Sequence, residues 1–376
     1  ASLIHAEDWD DMGGCGGHPS AALFPPLLTL AEAAGASGRE VVDAYACGYQ
    51  VGSVLGRYMK SNKSFSDRAW HPSAVVAPIV AAAAASRLLH LSVTQTANAL
   101  GIAASFSGGF QAQFGTSAKA LQLGKGSMGG YLAATLAVQG ITGDTEILER
   151  SNGFGACFAP GTSWRFMAHD LGGPLYLTSK HGKGGMDFRV AAKHLPLCGG
   201  AISGVTALEA ALGAESVGMS EIEELVIQET RDQTKGSMFR SPYTGVGEHG
   251  KFSLPYSLAA RLVFKEVSPR ATSDQAASQV LKSGLLPRIK VKVQPFTEAR
   301  PPVSKVSLRL KDGRTLVGES FAHHGETEPA MLVTKFRKAV ADLMDEKTAD
   351  AVIQKLSELR SMNNAASVLA IVNLDD

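Results

Sequence analysis

The stretch SAVVAPIVAAAAASRLLHL (Ser73–Leu91) constrains the fold most, because read as a helix it is apolar around its whole circumference. Such a helix has no face to offer water, so other elements must enclose it. Its most apolar run, Ser73–Ser86, is too short to span a bilayer and contains Pro78, so the enclosing elements belong to a soluble core. Its neighbours fit that role. SAALFPPLLTLAEAAG closes on Gly35, a residue suited to end a helix. SGREVVDAYACGYQVGSVLGRYM opens with a capping box from Ser37 to Glu40, and SVTQTANALGIAAS with another from Ser92 to Gln95. A glycine-rich passage, Ser105–Gly130, leads into YLAATLAVQG. Small residues let these helices approach closely, which predicts a compact all-helical domain from about residue 20.

After about residue 180 the texture changes. IEELVIQET (222–230), IKVKV (289–293), VSLRL (306–310) and TLVGES (315–320) read as strands, with Asp312-Gly313 as a hairpin turn. Helices are expected near 190–212, 252–265, 329–345 and 348–360, which makes this part α+β and two-layered. The segment 172–186 reads as the connection. A length of 376 residues with 45% apolar residues suits two such domains. Thirty-six basic against thirty-five acidic residues leave a net charge of +1, which points to neither nucleic acid nor an anionic membrane as partner. The four cysteines are scattered, without a CxxC pair, as reduced thiols would be. No basic and apolar leader is visible at Ala1, so the expected compartment is the cytoplasm. A mitochondrial one stays open should a targeting segment precede residue 1.

The chemistry concentrates in EDWDDMGGCGGHPS (Glu7–Ser20). Gly13–Gly17 is no phosphate loop, since neither a Lys-Ser/Thr pair nor a preceding strand accompanies it. A metal set of Asp8, Asp10, Asp11, His18 and His71 lacks any HxxxH, HExxH or EF-hand spacing, so no metal is expected. The informative feature is an echo: GHPSAALFPP (17–26) and WHPSAVVAPI (70–79) share His-Pro-Ser-Ala before an apolar helix. Proline favours the first helical position, so His18 and His71 fall at N-caps. There the helix dipole and free N–H groups attract anions and disfavour imidazolium, leaving a neutral imidazole able to accept a proton. Lys119 and Lys193 stand in nearly uncharged surroundings and are either solvent-facing or anion clamps. Cys15 and Cys198 read as small packing residues.

Taken in order, HAEDWDD…GHPS, GYQVGSVLGR, WHPSAVVAP, ALGIAASFSGGFQAQFGTSAKALQLGKG, KHLPLC and KFSLPYSLA resemble the MmgE/PrpD family over nearly the whole chain. That group includes 2-methylcitrate dehydratase, cis-aconitate decarboxylase and iminodisuccinate epimerase. The resemblance implies a mainly α fold: a large all-helical domain (1–180), a smaller α+β lid (181–325), and C-terminal helices (326–376) packing back on the helical domain. It also implies a homodimer, no cofactor, and several helices ahead of the first motif, which this sequence begins almost at.

By position, the resemblance places Asp8, His18, His71 and Lys119 in the catalytic set. Lys193, Cys198, Met12, Ser20 and Ser73 fall on the substrate side. The implied chemistry is proton abstraction next to a carboxyl group of a small di- or tricarboxylate, with loss of water or carbon dioxide. Met12 replaces the family's usual Thr or Ser, Cys198 and Ile202 stand where relatives carry a histidine, and KGSMF (235–239) offers no tyrosine of the decarboxylase branch. An epimerase using the same deprotonation, and a silent carboxylate-binding member, therefore remain alternatives.

Overall fold

The computed structural model describes residues 1–13, 17–60, 68–161, 190–229, 247–297, 301–321 and 328–371. The segment 172–186, KGSMF (235–239) and Cys15 lie outside them. The described residues are mainly helical. The first part carries α1 (Ser2–Ala6), α2 (Pro19–Ala34), α3 (Gly38–Lys60), α4 (Pro72–Leu88), α5 (Val93–Ala104), α6 (Ser117–Val138) and α7 (Phe154–Phe158). Helix α4 is the hub. Every residue of it except Pro72 and Arg87 is buried, as its all-round apolar surface requires.

Glycines decide how near its neighbours come. A Cβ on Gly130 of α6 would sit 2.3 Å from the Pro78 carbonyl oxygen and 2.6 Å from the Ala81 Cβ of α4. The two backbones therefore touch where any side chain would separate them. Both capping boxes form: Ser37 exchanges bonds with Glu40 ahead of α3, and Ser92 with Gln95 at the start of α5. Gly35 ends α2 in the left-handed region at φ 64°.

The later residues build a four-stranded sheet in the order β4-β3-β5-β6. Its strands are β3 (Ile222–Glu229), β4 (Ile289–Val293), β5 (Ser304–Leu310) and β6 (Thr315–Ser320). β3 and β4 run parallel, while β5 lies antiparallel to both β3 and β6. The hairpin at Asp312-Gly313 closes β5 onto β6, with Gly313 at φ 91°. Helices α8 (Gly199–Leu212), α9 (Leu254–Phe264) and α10 (Asp274–Lys282) share a second buried core with the sheet. The chain then continues through α11 (Pro329–Val340) and α12 (Glu346–Ser357). Near its end, Ala365 is buried in the helical core and its N–H bonds the Ala36 carbonyl.

Two expectations need correction. The helix foreseen over 190–212 starts only at Gly199. Residues Val190–Ala192 form a strand, β2, antiparallel to β1 (Asp11–Gly13). The first part is thus not wholly helical, because this short ladder crosses between the two halves of the sequence. No helix among the described residues is long and apolar enough to cross a membrane.

Candidate active site

The β1–β2 ladder is the device that builds the site. It pairs Asp11 with Ala192, and the next residue, Lys193, donates its N–H to the Asp10 carbonyl at 3.0 Å. The Lys193 side chain is thereby delivered onto the first loop. Its Nζ donates to Asp8 Oδ1 at 2.8 Å and to the Asp8 carbonyl at 3.0 Å. Lys119, in the first turn of α6, donates to the same Oδ1 at 2.6 Å. Asp8 is 2% exposed, Lys119 5% and Lys193 1%, so none of the three could carry its charge alone. Asp8 occupies the left-handed region at φ 52°, a backbone strain that aims its carboxylate at both ammonium groups.

Asp10 does for the histidines what Asp8 does for the lysines. Its Oδ2 accepts from His5 Nδ1 at 2.7 Å and its Oδ1 from His18 Nδ1 at 2.9 Å. The rings of His5 and His18 lie 4.3 Å apart, and His5 stacks on His71 at 6.0 Å with 21° between planes. His18 and His71 are the N-caps of α2 and α4, each followed by proline. His71 meets Phe114 edge-on at 4.8 Å. Phe114, Phe252 and Cys198, the N-cap of α8, form a small buried apolar wall.

The electrostatics follow from this wiring. Burial by itself would raise the Asp8 carboxyl, but Lys119 and Lys193 override it and hold Asp8 ionised far below the usual carboxylate range. Asp10 is likewise held low against burial by His18 and His5. Lys193 keeps its proton because Asp8 and Asp10 outweigh its desolvation. Burial pushes the Cys198 thiol up, making it a poor nucleophile. His5 is pushed down to about 3, by burial first and then by Lys119. His71 lies well below its ordinary value through burial, His5 and Lys119.

These shifts set the acid limit of the fold. Unfolding restores both histidines to an ordinary pKa of about 6.5. Below that pH the unfolded chain therefore binds more protons than the native one, and stability falls as pH drops. The depressed carboxyls of Asp8 and Asp10 add a loss of the same sign at lower pH, below about 4. The urea midpoint is expected to fall steadily from about pH 7 to about pH 4. A flat midpoint over that window would contradict the buried neutral histidines.

Of the residues singled out in the sequence, Asp8, His18, His71, Lys119, Lys193 and Cys198 come together. The others sit at the margin. The Ser20 hydroxyl is committed to Asp11 Oδ2 at 2.5 Å and contacts the Tyr45 hydroxyl at 3.0 Å. Ser73 is buried against Gly17, whose missing Cβ leaves room for its hydroxyl. Met12 lies half-buried on β1 opposite Ala191. Of the metal set, Asp8, Asp10 and His18 do converge, joined by His5, but two ammonium groups already occupy Asp8 Oδ1.

Sequence reasoning missed His5, wholly buried, although it opens the HAEDWDD motif. It also missed two lysines that grip the loop from outside. Lys251 donates to the Ala6 carbonyl at 2.9 Å, and Lys335 of α11 donates to the Trp9 and Asp10 carbonyls. Lys251, placed just ahead of a buried helix start, was a readable signal; Lys335 had none.

Residues 1–167 match the model of the MmgE/PrpD N-terminal domain. The chain is 26% identical to mouse cis-aconitate decarboxylase over 381 residues, covering 96% of this chain and 75% of that protein. It is 38% identical over 160 residues to the human cis-aconitate decarboxylase, covering 42% of this chain and 33% of the human protein. A third relative, the cis-aconitate decarboxylase-like protein oryM of Aspergillus oryzae, is 32% identical over 170 residues, with 43% and 35% covered. Residues 1–167 thus carry the MmgE/PrpD N-terminal domain, and nearly the whole length of the chain aligns with a cis-aconitate decarboxylase.

Proposed function

We propose that the chain is a cofactor-independent lyase acting on a small di- or tricarboxylate, with decarboxylation as the leading reaction. The observation that carries this is a buried neutral imidazole, His71, beside the Lys119–Asp8–Lys193 triad. An ammonium has three N–H donors. Lys119 spends one on Asp8 and Lys193 two, so each keeps a donor for a substrate carboxylate. Asp8 keeps Lys193 charged and, paired with both lysines, limits the excess positive charge.

Neutral His71 removes a proton from the carbon next to a carboxyl group, and the charge that develops on the carboxylate oxygens lies against the lysines. In the decarboxylating case the bond to the leaving carboxylate breaks and carbon dioxide departs. No proton is removed beforehand in that case: the electron pair left on carbon takes up one that the imidazole passes on from water. His18 and Asp8 position the substrate. Decarboxylation leads because the curated relatives carry that activity in their names.

The test is incubation with cis-aconitate, 2-methylcitrate and smaller dicarboxylates in deuterated water, followed by NMR. A decarboxylated or dehydrated alkene with solvent deuterium supports the lyase. Deuterium exchange without net product replaces it with an epimerase, and inertness toward every compound overturns it in favour of a binding role.

A further inference from the structure

We infer that Gln122 is a positioning residue that fixes the tautomer of His71, holding its proton on Nδ1 and leaving the Nε2 lone pair for the substrate. This rests on the proton-transfer role given to His71 above. Gln122 lies one turn after Lys119 on α6, so the two side chains leave the helix on the same face. Its amide Nε2 faces the Phe110 carbonyl at 3.4 Å. A carbonyl only accepts, so the amide nitrogen must be on that side and Oε1 on the other. Oε1 lies 2.9 Å from His71 Nδ1. An amide oxygen cannot donate, so Nδ1 carries the proton.

Two further features agree. His71 stands at the N-cap of α4, yet its side chain makes no hydrogen bond to the helix's free N–H groups. A protonated Nδ1 could not accept one. Gly109 supplies the room: a Cβ there would meet Gln122 Oε1 at 2.7 Å and the Ala74 Cβ at 2.9 Å. The Gly109 carbonyl also accepts the His71 backbone N–H at 2.9 Å. One glycine thus locates both partners.

The choice of an amide is chemically specific. His5 and His18 also turn Nδ1 onto an acceptor, but theirs is the ionised Asp10. A carboxylate favours imidazolium, whereas an amide orients the ring without charging it. The other groups facing His71 are His5 from α1, His18 from the first loop, Lys119 from α6 and the Phe114 ring. None of them supplies an anion to it.

The test combines two variants with a readout that needs no turnover. In protein labelled with 15N-histidine, NMR is expected to show His71 protonated on Nδ1. Gln122→Glu sets a carboxylate beside that ring. It is expected to raise the His71 titration, and the acid limb of the pH–rate profile with cis-aconitate, by about 1–3 pH units. Gln122→Met removes the acceptor and is expected to lower kcat by roughly 10- to 100-fold with KM little changed. Gln122→Glu should recover the rate at high pH, which a merely structural defect would not do. A proton on His71 Nε2 in the native chain, or a His71 titration unmoved in Gln122→Glu, overturns the inference. If no carboxylate turns over, the proposed lyase fails, while the NMR tautomer and titration still decide the role of Gln122.

Discussion

Replacing His71 with asparagine is expected to lower kcat by roughly 10²–10⁴-fold, the range that one positioned acid–base group contributes. Asparagine is a favoured N-cap residue, so α4 keeps its start and the fold should survive. The loss then reports chemistry rather than stability. His71 is singled out because it alone among the three clustered imidazoles is held by a neutral acceptor. Solvent-deuterium incorporation into the substrate should vanish together with product. Circular dichroism and the urea midpoint should stay close to those of the parent. A variant that turns over at the parental rate would remove His71 from the mechanism.

The largest expected effect on stability comes from Asp8→Asn. The change leaves Lys119 and Lys193 buried without the carboxylate that both now share through one oxygen. Removing one partner of a buried ion pair typically costs about 3–5 kcal/mol, because the remaining charge is stranded. Asparagine tolerates the left-handed backbone as aspartate does, so the φ of 52° at this position adds little to the loss. The measurement is urea unfolding at neutral pH, where the midpoint should drop with an unchanged slope. Adding Lys119→Met to Asp8→Asn should recover part of the loss, since one stranded ammonium is then gone. A single variant as stable as the parent would mean that the triad is not the electrostatic unit described above.

What the sequence disclosed was local. Ser37 with Glu40 and Ser92 with Gln95 are three residues apart, and both boxes are present. The turn at Asp312-Gly313 and the burial of α4 likewise follow from short-range chemistry and composition. The N-cap positions of His18 and His71 could be read from the prolines that follow them. The misreading of Val190–Ala192 as helix has the opposite cause. Among the described residues its strand partner is Asp11–Gly13, far away in sequence, and three residues are too few to show an alternating pattern. The same distance in sequence hid the meaning of the lysines. Lys119 and Lys193 could be suspected of holding an anion, but that the anion includes Asp8 is a tertiary fact, which for Lys193 depends on the β1–β2 pairing. His5 was overlooked because a histidine at the end of a five-residue helix has no local signature; its partner Asp10 and its complete burial are tertiary facts.

The β1–β2 ladder also bears on how the protein matures. It joins Gly13 to Val190 through only three residue pairs, so the gain from pairing is small against the entropy of closing so long a loop. It can persist only after the helical core and the sheet have each consolidated, and it should be among the first contacts to open when either loosens. Lys193 reaches Asp8 only through that ladder. The charged centre is therefore complete only when both halves of the sequence are in place.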